Sequence, residues 1–330
     1  MIITRTPFRF TLGGGGTDIP SYYSKNEGLV ISMAIDKYMY VTLKSDNFDK
    51  LCKLRYSEIE SVDDVSKLKH SRARESLILH DIKNSIEITT CADLSANSGL
   101  GSSGTFIVGL LKAIREYKRL NTEPAIIAEE ACNIEIDILK EPVGKQDQYI
   151  AAFGGIKIFN ISKDGNVSTK NLSIEYTDLN NFLTNIHVYS LNVKRSASDI
   201  LKDQQKMQGN TEYLLNTIKE YGYKTIDILE NKNYDDYGIL LDNYWKLKKQ
   251  LSDKISLNFV DEIYEELKQN YNVLGGKIIG AGGGGFLMLY VNKNHDKVQK
   301  FMKNLGMWRL PYSVDYTGSR VIGNFLENKI

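Results

Sequence analysis

The glycine-rich segment at residues 99–105, which reads GLGSSGT, places the strongest single constraint on how this chain can fold. A stretch rich in β-branched residues precedes it at residues 85–91, and a segment of helical periodicity follows it. The apolar side chains that carry this periodicity are Phe106, Ile107, Leu110, Leu111 and Ile114. Glycine leaves backbone N–H groups unobstructed, and those at a helix N-terminus attract anions. The segment therefore predicts a phosphate-binding loop that opens a helix.

The same glycine spacing matches other loops, which the neighbouring sequence excludes. Gly99, Gly101 and Gly104 satisfy the GxGxxG pattern of dinucleotide-binding turns. Such turns need a second parallel strand and an acidic residue about 20 positions on, whereas this chain continues as helix, short turn and a second helix at residues 123–139. The Walker A lysine and the HRD and DFG motifs of protein kinases are absent. A tight turn with a serine-rich helix cap remains an alternative interpretation.

With 330 residues, the chain exceeds a typical domain of roughly 100–200 residues, which favours two domains that share a cleft. Strands are predicted at residues 2–10, 29–43, 85–91, 156–161, 167–174, 186–193, 275–282 and 285–291. Helices predicted in the second half cover residues 199–208, 211–229, 237–251, 259–270 and 295–305. The pattern indicates an α+β fold with domains at residues 1–180 and 181–330.

The composition limits which classes of binding partner and which cellular compartment can be expected. Lysine and arginine number 42 against 41 aspartates and glutamates, so the chain lacks the broad positive field of proteins that coat nucleic acid or acidic membranes. No apolar run reaches the roughly 18 residues of a membrane span. Three separated cysteines predict neither a disulfide framework nor a CxxC metal site, and the four histidines share no metal-ligand spacing, so no zinc is expected. These features predict a cytoplasmic protein with a small-molecule substrate and no nucleic-acid or membrane partner.

Two further glycine runs flank the first. Residues 13–16 are all glycine and lie directly before Thr17 and Asp18, with Arg9 upstream. Glycine permits close backbone approach, and a carboxylate with a guanidinium can bind the hydroxyl groups of a polyol. The alternative is a flexible loop with a solvated aspartate. The third run, at residues 280–285, separates two apolar strands by more residues than a simple hairpin needs, which favours close approach to a ligand or to another loop.

These three motifs, in this order near residues 13, 100 and 283, resemble the galactokinase, homoserine kinase, mevalonate kinase and phosphomevalonate kinase (GHMP) superfamily. The resemblance spans nearly the whole chain. It implies a GHMP kinase fold, in which a ribosomal S5 domain 2-like N-terminal domain and a ferredoxin-like C-terminal domain bring ATP and substrate together. GGGTD at residues 14–18 is similar to the branch that contains heptose-phosphate kinases and fucokinase. The resemblance therefore implies an ATP-dependent sugar kinase.

The resemblance also implies roles for individual residues. Mg²⁺ is expected at Ser103 and Glu135, with one of several solvated carboxylates as the alternative for Glu135. Asp147 is expected beside the acceptor hydroxyl, as a base or an orienting charge, with a helix N-cap as the alternative. The residues expected to hold the nucleotide phosphates are Gly99, Leu100, Gly101, Ser102, Ser103, Gly104 and Thr105. Those expected to bind the substrate are Arg9, Gly15, Gly16, Thr17, Asp18, Arg195 and Gly283.

The reaction implied by the resemblance is phosphorylation of D-glycero-D-manno-heptose 7-phosphate at O1, which gives the 1,7-bisphosphate. Lys194 and Arg195 follow a predicted strand and precede a serine-capped helix, so Arg195 is the candidate for binding the substrate phosphate. The alternatives are an anomeric kinase of an unphosphorylated sugar such as fucose, and a non-catalytic sugar and ATP sensor on the same fold. Arg72 and Arg74 form a second basic cluster, to which no role is assigned.

Overall fold

The structure is a computed structural model that describes residues 1–45, 48–96, 98–193 and 210–326. Its strands are β1 (Ile2–Gly13), β2 (Gly28–Ser45), β3 (Cys52–Arg55), β4 (Ile59–Val62), β5 (Ile86–Ala92), β6 (Ile156–Ile161), β7 (Val167–Asn171), β8 (Ile186–Ser190), β9 (Val273–Ile278), β10 (Phe286–Val291) and β11 (Arg320–Asn324). Its α-helices are α1 (Pro20–Asn26), α2 (Ser71–Leu79), α3 (Ser102–Tyr117), α4 (Pro124–Cys132), α5 (Gln146–Phe153), α6 (Tyr176–Asn185), α7 (Thr211–Glu230), α8 (Tyr234–Lys249), α9 (Asn258–Tyr271) and α10 (His295–Asn304). In the described part of the chain, no helix combines the length and apolarity that crossing a membrane requires.

The larger sheet is organised around β2, a strand of 18 residues. β1, β5 and β6 all pair antiparallel with β2. β1 pairs along most of β2, β6 pairs with the first half of β2, and β5 pairs with the second half of β2. β3 runs parallel to β5 and forms a hairpin with β4. The first eight residues of β2 are buried, as expected for a strand covered on both faces.

One face of the larger sheet is covered by α3, α4 and α5. The five apolar residues that predicted a helix after the glycine loop are all buried in α3, which confirms the predicted periodicity. The second helix, predicted as continuous over residues 123–139, differs from this prediction in one respect. Regular α-helix ends at Cys132, and a π-helical turn continues over Asn133–Ile138. Such a turn widens the backbone spiral and changes which side chains face inward, and in this one Ile134 and Glu135 are both buried.

The second half builds a small antiparallel sheet in the order β8-β10-β9. α8 and α9 pack against β9, and α9 also contacts α10. The helices and strands predicted for this half are confirmed within a few residues at each end, apart from the helix at residues 199–208, which lies outside the described residues. β11 pairs with β1, so the last described strand belongs to the larger sheet. The domain division at residue 180 remains a prediction.

Candidate active site

A cavity of about 390 Å³ is lined by residues from both halves of the chain. The first half contributes the middle of β1, the glycine loop after β1, the N-terminus of α3 and the loop that leads into α5. The second half contributes one face of α8, the end of β9 and the start of the glycine run that follows β9. All three glycine motifs therefore meet at one cavity.

The N-terminus of α3 presents free backbone donors to this cavity. The N–H of Thr105 donates to the carbonyl oxygen of Gly101 at 2.9 Å and closes the first turn. The N–H groups of the three residues before Thr105 have no carbonyl to bond within the helix, as at every helix N-terminus. Gly101 caps the helix with φ +83°, a left-handed conformation that favours glycine. Ser102 and Ser103 line the cavity beside it, so this end of α3 is suited to bind phosphate.

Arg9 connects this loop to the acidic side of the cavity. Its guanidinium donates to both carboxylate oxygens of Asp147, with Nε–Oδ1 at 2.7 Å and Nη2–Oδ2 at 2.9 Å. The remaining terminal nitrogen, Nη1, donates to the carbonyl oxygen of Gly99 at 2.6 Å. The backbone N–H of Arg9 also donates to the carbonyl of Leu100 at 3.1 Å. One buried arginine therefore sets the position of Asp147 relative to the phosphate-binding loop.

Asp18 supports the helix that carries Asp147. Its Oδ2 accepts the N–H of Gln146, the first residue of α5, at 3.0 Å, and its Oδ1 accepts the N–H of Gly16 at 3.3 Å. Burial raises the pKa of Asp18, while these backbone hydrogen bonds oppose the rise. A Cβ on Gly144 would overlap the Asp18 carboxylate, so glycine is required there. Asp18 thus lines the cavity and also caps α5.

Glu135, expected to hold Mg²⁺, is fully buried behind the cavity wall. Its Oε1 accepts from Arg72 Nε at 2.6 Å, and its Oε2 accepts from Gln148 Nε2 at 2.6 Å. Burial raises the pKa of Glu135, whereas the Arg72 guanidinium and the Gln148 amide lower it. The alternative of a solvated carboxylate is therefore wrong.

Ser103 and Glu135 supply ligand types that Mg²⁺ prefers. Ser103 lines the cavity, and hydroxyl and carboxylate oxygens are the ligands this hard cation prefers. Gln148 Oε1 is also buried beside Glu135 and has no hydrogen-bond partner among the described residues. Both Glu135 oxygens already accept hydrogen bonds, so a metal at Glu135 would share this carboxylate with the Arg72 guanidinium and the Gln148 amide.

Comparison with known proteins identifies the family. Residues 67–155 match the model of the GHMP kinases N terminal domain. The chain is 30% identical over 320 residues to the D-glycero-alpha-D-manno-heptose 7-phosphate kinase of Campylobacter jejuni, with 92% of this chain and 94% of that relative covered. The chain belongs to the GHMP kinase family. Members of this family are ATP-dependent phosphotransferases, and the relatives of this GHMP kinase include kinases of a heptose phosphate, of fucose and of galactose.

Two other relatives define the fold and the range of acceptors. A crystal structure described as that of a D-glycero-D-manno-heptose 1-phosphate kinase from Bacteroides thetaiotaomicron superposes with a TM-score of 0.80 at 23% identity, covering 99% of this chain and all of that one. The L-fucokinase/L-fucose-1-P guanylyltransferase of Bacteroides fragilis is 25% identical over 332 residues, covering 86% of this chain and 34% of that relative. The predicted α+β GHMP kinase fold is confirmed.

The cavity brings together many of the predicted site residues of this GHMP kinase. Those that line it are Arg9, Gly15, Gly16, Asp18, Gly99, Gly101, Ser102, Ser103 and Asp147. The remaining predicted residues in the described part of the chain do not line it, namely Thr17, Leu100, Gly104, Thr105, Glu135 and Gly283. Among these, the Thr17 hydroxyl lies within hydrogen-bonding distance of the carbonyls of Gly14 and Leu29, so it stabilises the loop from inside. Arg195 lies outside the described residues.

Four further residues of the cavity wall carry chemistry that sequence reasoning missed: Arg72, Tyr244, Lys248 and Lys277. Arg72 belongs to a basic cluster on α2 that had no assigned role. The other three lie on α8 and β9, outside every glycine motif. A lysine in an otherwise apolar strand, as in the sequence VLGGKI of β9, is the one local feature that could have drawn attention to Lys277.

Proposed function

We propose that this GHMP kinase transfers the γ-phosphoryl group of ATP to O1 of D-glycero-D-manno-heptose 7-phosphate, giving the 1,7-bisphosphate and ADP. The observation that carries the proposal is the single cavity that joins the N-terminus of α3 to the Arg9–Asp147 pair and to Asp18. The Campylobacter jejuni relative, named as a kinase of a heptose 7-phosphate, supports the choice of acceptor.

In the proposed reaction, the donors at the N-terminus of α3 hold the phosphates of ATP and their positive field stabilises charge on the transferring group. The acceptor hydroxyl donates a hydrogen bond to Asp147, which lies next to this loop because Arg9 contacts both. The hydroxyl oxygen bonds to the γ-phosphorus and its proton passes to Asp147, while the bond from that phosphorus to the β–γ bridging oxygen breaks, with its electron pair leaving on ADP. We assign Mg²⁺ to Ser103 and Glu135, where it would supply positive charge beside the phosphates.

The test is ADP release from the purified protein with ATP, Mg²⁺ and a panel of acceptors. The panel contains heptose 7-phosphate, unphosphorylated heptose, fucose, and the phosphates of galactose and mannose. We expect heptose 7-phosphate to give the highest kcat/KM, and phosphorus-31 NMR of the product to show a second phosphate on C1. A Ser103→Ala variant should lose turnover while it retains sugar binding.

Two outcomes would contradict the proposal. A preference for fucose would favour an anomeric kinase of unphosphorylated sugars, in line with the fucokinase relative. ATP binding without ADP release for any acceptor would favour a sugar and ATP sensor.

We also propose that the protein acts in the cytoplasm, which its free cysteines, Cys52, Cys91 and Cys132, support.

A further inference from the structure

Two lysines from the second half of the chain lie buried in the cavity wall. Lys248, near the end of α8, is 7% exposed, and Lys277, the last residue but one of β9, is 2% exposed. Both line the same cavity as Asp147. Lysine is almost never fully buried in proteins unless it is paired with an opposite charge, so this position requires an explanation.

Neither lysine has a carboxylate partner among the described residues. The Nζ of Lys248 donates to the carbonyl oxygen of Gly280. The Nζ of Lys277 lies 4.6 Å from the centre of the Tyr244 ring, and the described residues offer it no hydrogen-bond acceptor. Arg9, a third cation that lines the same cavity, is neutralised by Asp147. Two desolvated ammonium groups without a counter-ion are costly for folding, and a leucine or methionine would fill the same volume without that cost.

The two lysines lie towards the loop expected to bind the sugar. Lys248 follows Tyr244 by four residues on α8, so both project from the same face of the helix. The hydroxyl oxygen of Tyr244 lies 3.4 Å from where a Cβ on Gly15 would be. Tyr244 therefore contacts the GGGTD loop on one side and carries Lys277 over its ring on the other. An anion between these lysines would lie beside a sugar bound at Asp18 and Asp147.

We propose that Lys248 and Lys277 bind the phosphate group that the acceptor sugar already carries before the reaction. The inference rests on the proposed function, and it makes the acceptor of this enzyme a sugar phosphate rather than a neutral sugar. A phosphate dianion offers several oxygens to two ammonium groups, and charge-assisted hydrogen bonds of this kind are short and strong. The counter-ion that the two lysines lack is thereby supplied by the substrate.

The protonation of these lysines agrees with this assignment. Burial, with the nearby positive charge of Arg9, lowers the pKa of Lys248 to about 7. Burial, with the charges of Lys248 and Arg9, also lowers the pKa of Lys277. The other charged groups that face the cavity are Asp18, Asp147, Arg72 and Glu141. A phosphate bound at Lys248 and Lys277 would restore their ordinary pKa, so binding near pH 8 should take up protons.

The experiment compares the wild-type protein with Lys248→Met and Lys277→Met. Methionine keeps the apolar stem and removes the amino group, and at residue 248 it also removes the hydrogen bond to the Gly280 carbonyl. Lys249→Met is the matched control, because Lys249 is the next residue on α8 and its Nζ pairs with Asp261 at 3.0 Å on the surface. Isothermal titration without nucleotide measures the affinity of each protein for heptose 7-phosphate, unphosphorylated heptose and inorganic phosphate. Titrations at pH 8 in buffers of different ionisation enthalpy measure proton uptake.

We expect each lysine variant to bind heptose 7-phosphate at least tenfold more weakly, with affinity for unphosphorylated heptose changed by less than about twofold. Proton uptake should fall in both variants, and Lys249→Met should match the wild type. The ligand-free Lys277→Met variant should also melt at a higher temperature than the wild type, because it loses a buried amino group that has no hydrogen-bond partner among the described residues. A purely structural role for the lysines predicts the opposite change in melting temperature.

Three results would overturn the inference. The first is unchanged affinity for heptose 7-phosphate in both lysine variants. The second is an equal loss of affinity for the phosphorylated and unphosphorylated sugars. The third is a loss of affinity confined to ATP, titrated separately, which would assign the lysines to the nucleotide. Because affinity for inorganic phosphate is measured without turnover, a protein that binds phosphate through these lysines but releases no ADP would contradict the proposed function alone.

Discussion

Arg72→Met tests the buried ion pair behind the cavity. In the wild type, Arg72 Nε lies 2.6 Å from Glu135 Oε1, and the Arg72 side chain is 20% exposed while that of Glu135 is fully buried. The substitution keeps the apolar stem of the side chain but leaves the Glu135 carboxylate with the Gln148 amide as its remaining hydrogen-bond partner. Removing one partner of a buried ion pair is strongly destabilising, because the other charge stays desolvated.

We expect a loss of about 3 kcal/mol in the free energy of unfolding at pH 7, at the lower end of the range for such pairs because Arg72 is partly exposed. The loss should shrink as the pH falls towards 5. The reason is that the unpaired Glu135 carboxyl has a pKa raised by burial, so it takes up a proton in the folded state before it does in the unfolded chain. Protonation then removes the uncompensated charge.

The assay is urea unfolding followed by circular dichroism at pH 7 and pH 5. Arg74→Met is the control, because Arg74 lies on the same helix and pairs with its neighbour Glu75 nearer the surface, and such pairs contribute about 0–1 kcal/mol. A Glu135→Gln background completes the double-mutant cycle, and Arg72→Met should cost less than about 1 kcal/mol in it. If Arg72→Met and Arg74→Met destabilise equally, or if the cycle shows no coupling, the reasoning fails.

Three further predictions concern the site and its surroundings. Asp147→Asn should lower kcat by roughly 10²- to 10⁴-fold and leave the calorimetric Kd for ATP unchanged; a wild-type kcat would remove Asp147 from the reaction. Gly104→Ala should lower kcat/KM, because the alanine Cβ would lie 2.7 Å from the Cβ of Asp147. This loss is expected although alanine favours helix more than glycine does, and full activity would show that the contact is harmless. Burial lowers the pKa of His187 to about 3, so the unfolded chain binds a proton below about pH 6.5 that the folded chain excludes. The free energy of unfolding should therefore fall by up to about 1.4 kcal/mol for each unit by which the pH drops from 6.5 to 3. Urea titrations of His187→Asn should lack this component, and identical pH profiles for variant and wild type would contradict the prediction.

The elements that the sequence predicts in the described part of the chain are found in the structure because their patterns are local, whereas the short helices α1, α2, α5 and α6 and the short strands β3 and β4 were not predicted. β6 occupies the six residues Ile156–Ile161 that were predicted, and the helix after the glycine loop buries each of its periodic apolar residues. The π-helical turn at Asn133–Ile138 was not predicted, since no glycine or proline marks it. Tertiary packing decides this feature, because the turn positions Glu135 for Arg72, a residue on another helix.

The candidate site is predictable to the extent that its residues belong to motifs. The glycine runs led to Arg9, Asp18, Ser103 and the cavity between them, and the structure places these residues together. Thr17 belongs to the same motif, and yet its hydroxyl faces the interior. A loop has no regular alternation of side chains, so the sequence does not show which of its residues reach a ligand. Tyr244, Lys248 and Lys277 come from elements whose local sequence describes an ordinary helix and strand. Only the packing of α8 against β9 brings their polar ends to the cavity.

The contacts of Arg9 explain why the distance between phosphate donor and acceptor can be set by one side chain. Its guanidinium is planar and rigid, and it uses three of its nitrogens at once, two on Asp147 and one on the carbonyl of Gly99. A lysine has one nitrogen on a flexible stem and could not hold both targets in a fixed plane. Asp147 keeps further lone pairs free beyond the two that face Arg9, so it can still accept a hydrogen bond from a substrate hydroxyl. Asp147 is thus held against the glycine loop that precedes α3, and this geometry fits the proposed role of a carboxylate that orients the acceptor hydroxyl.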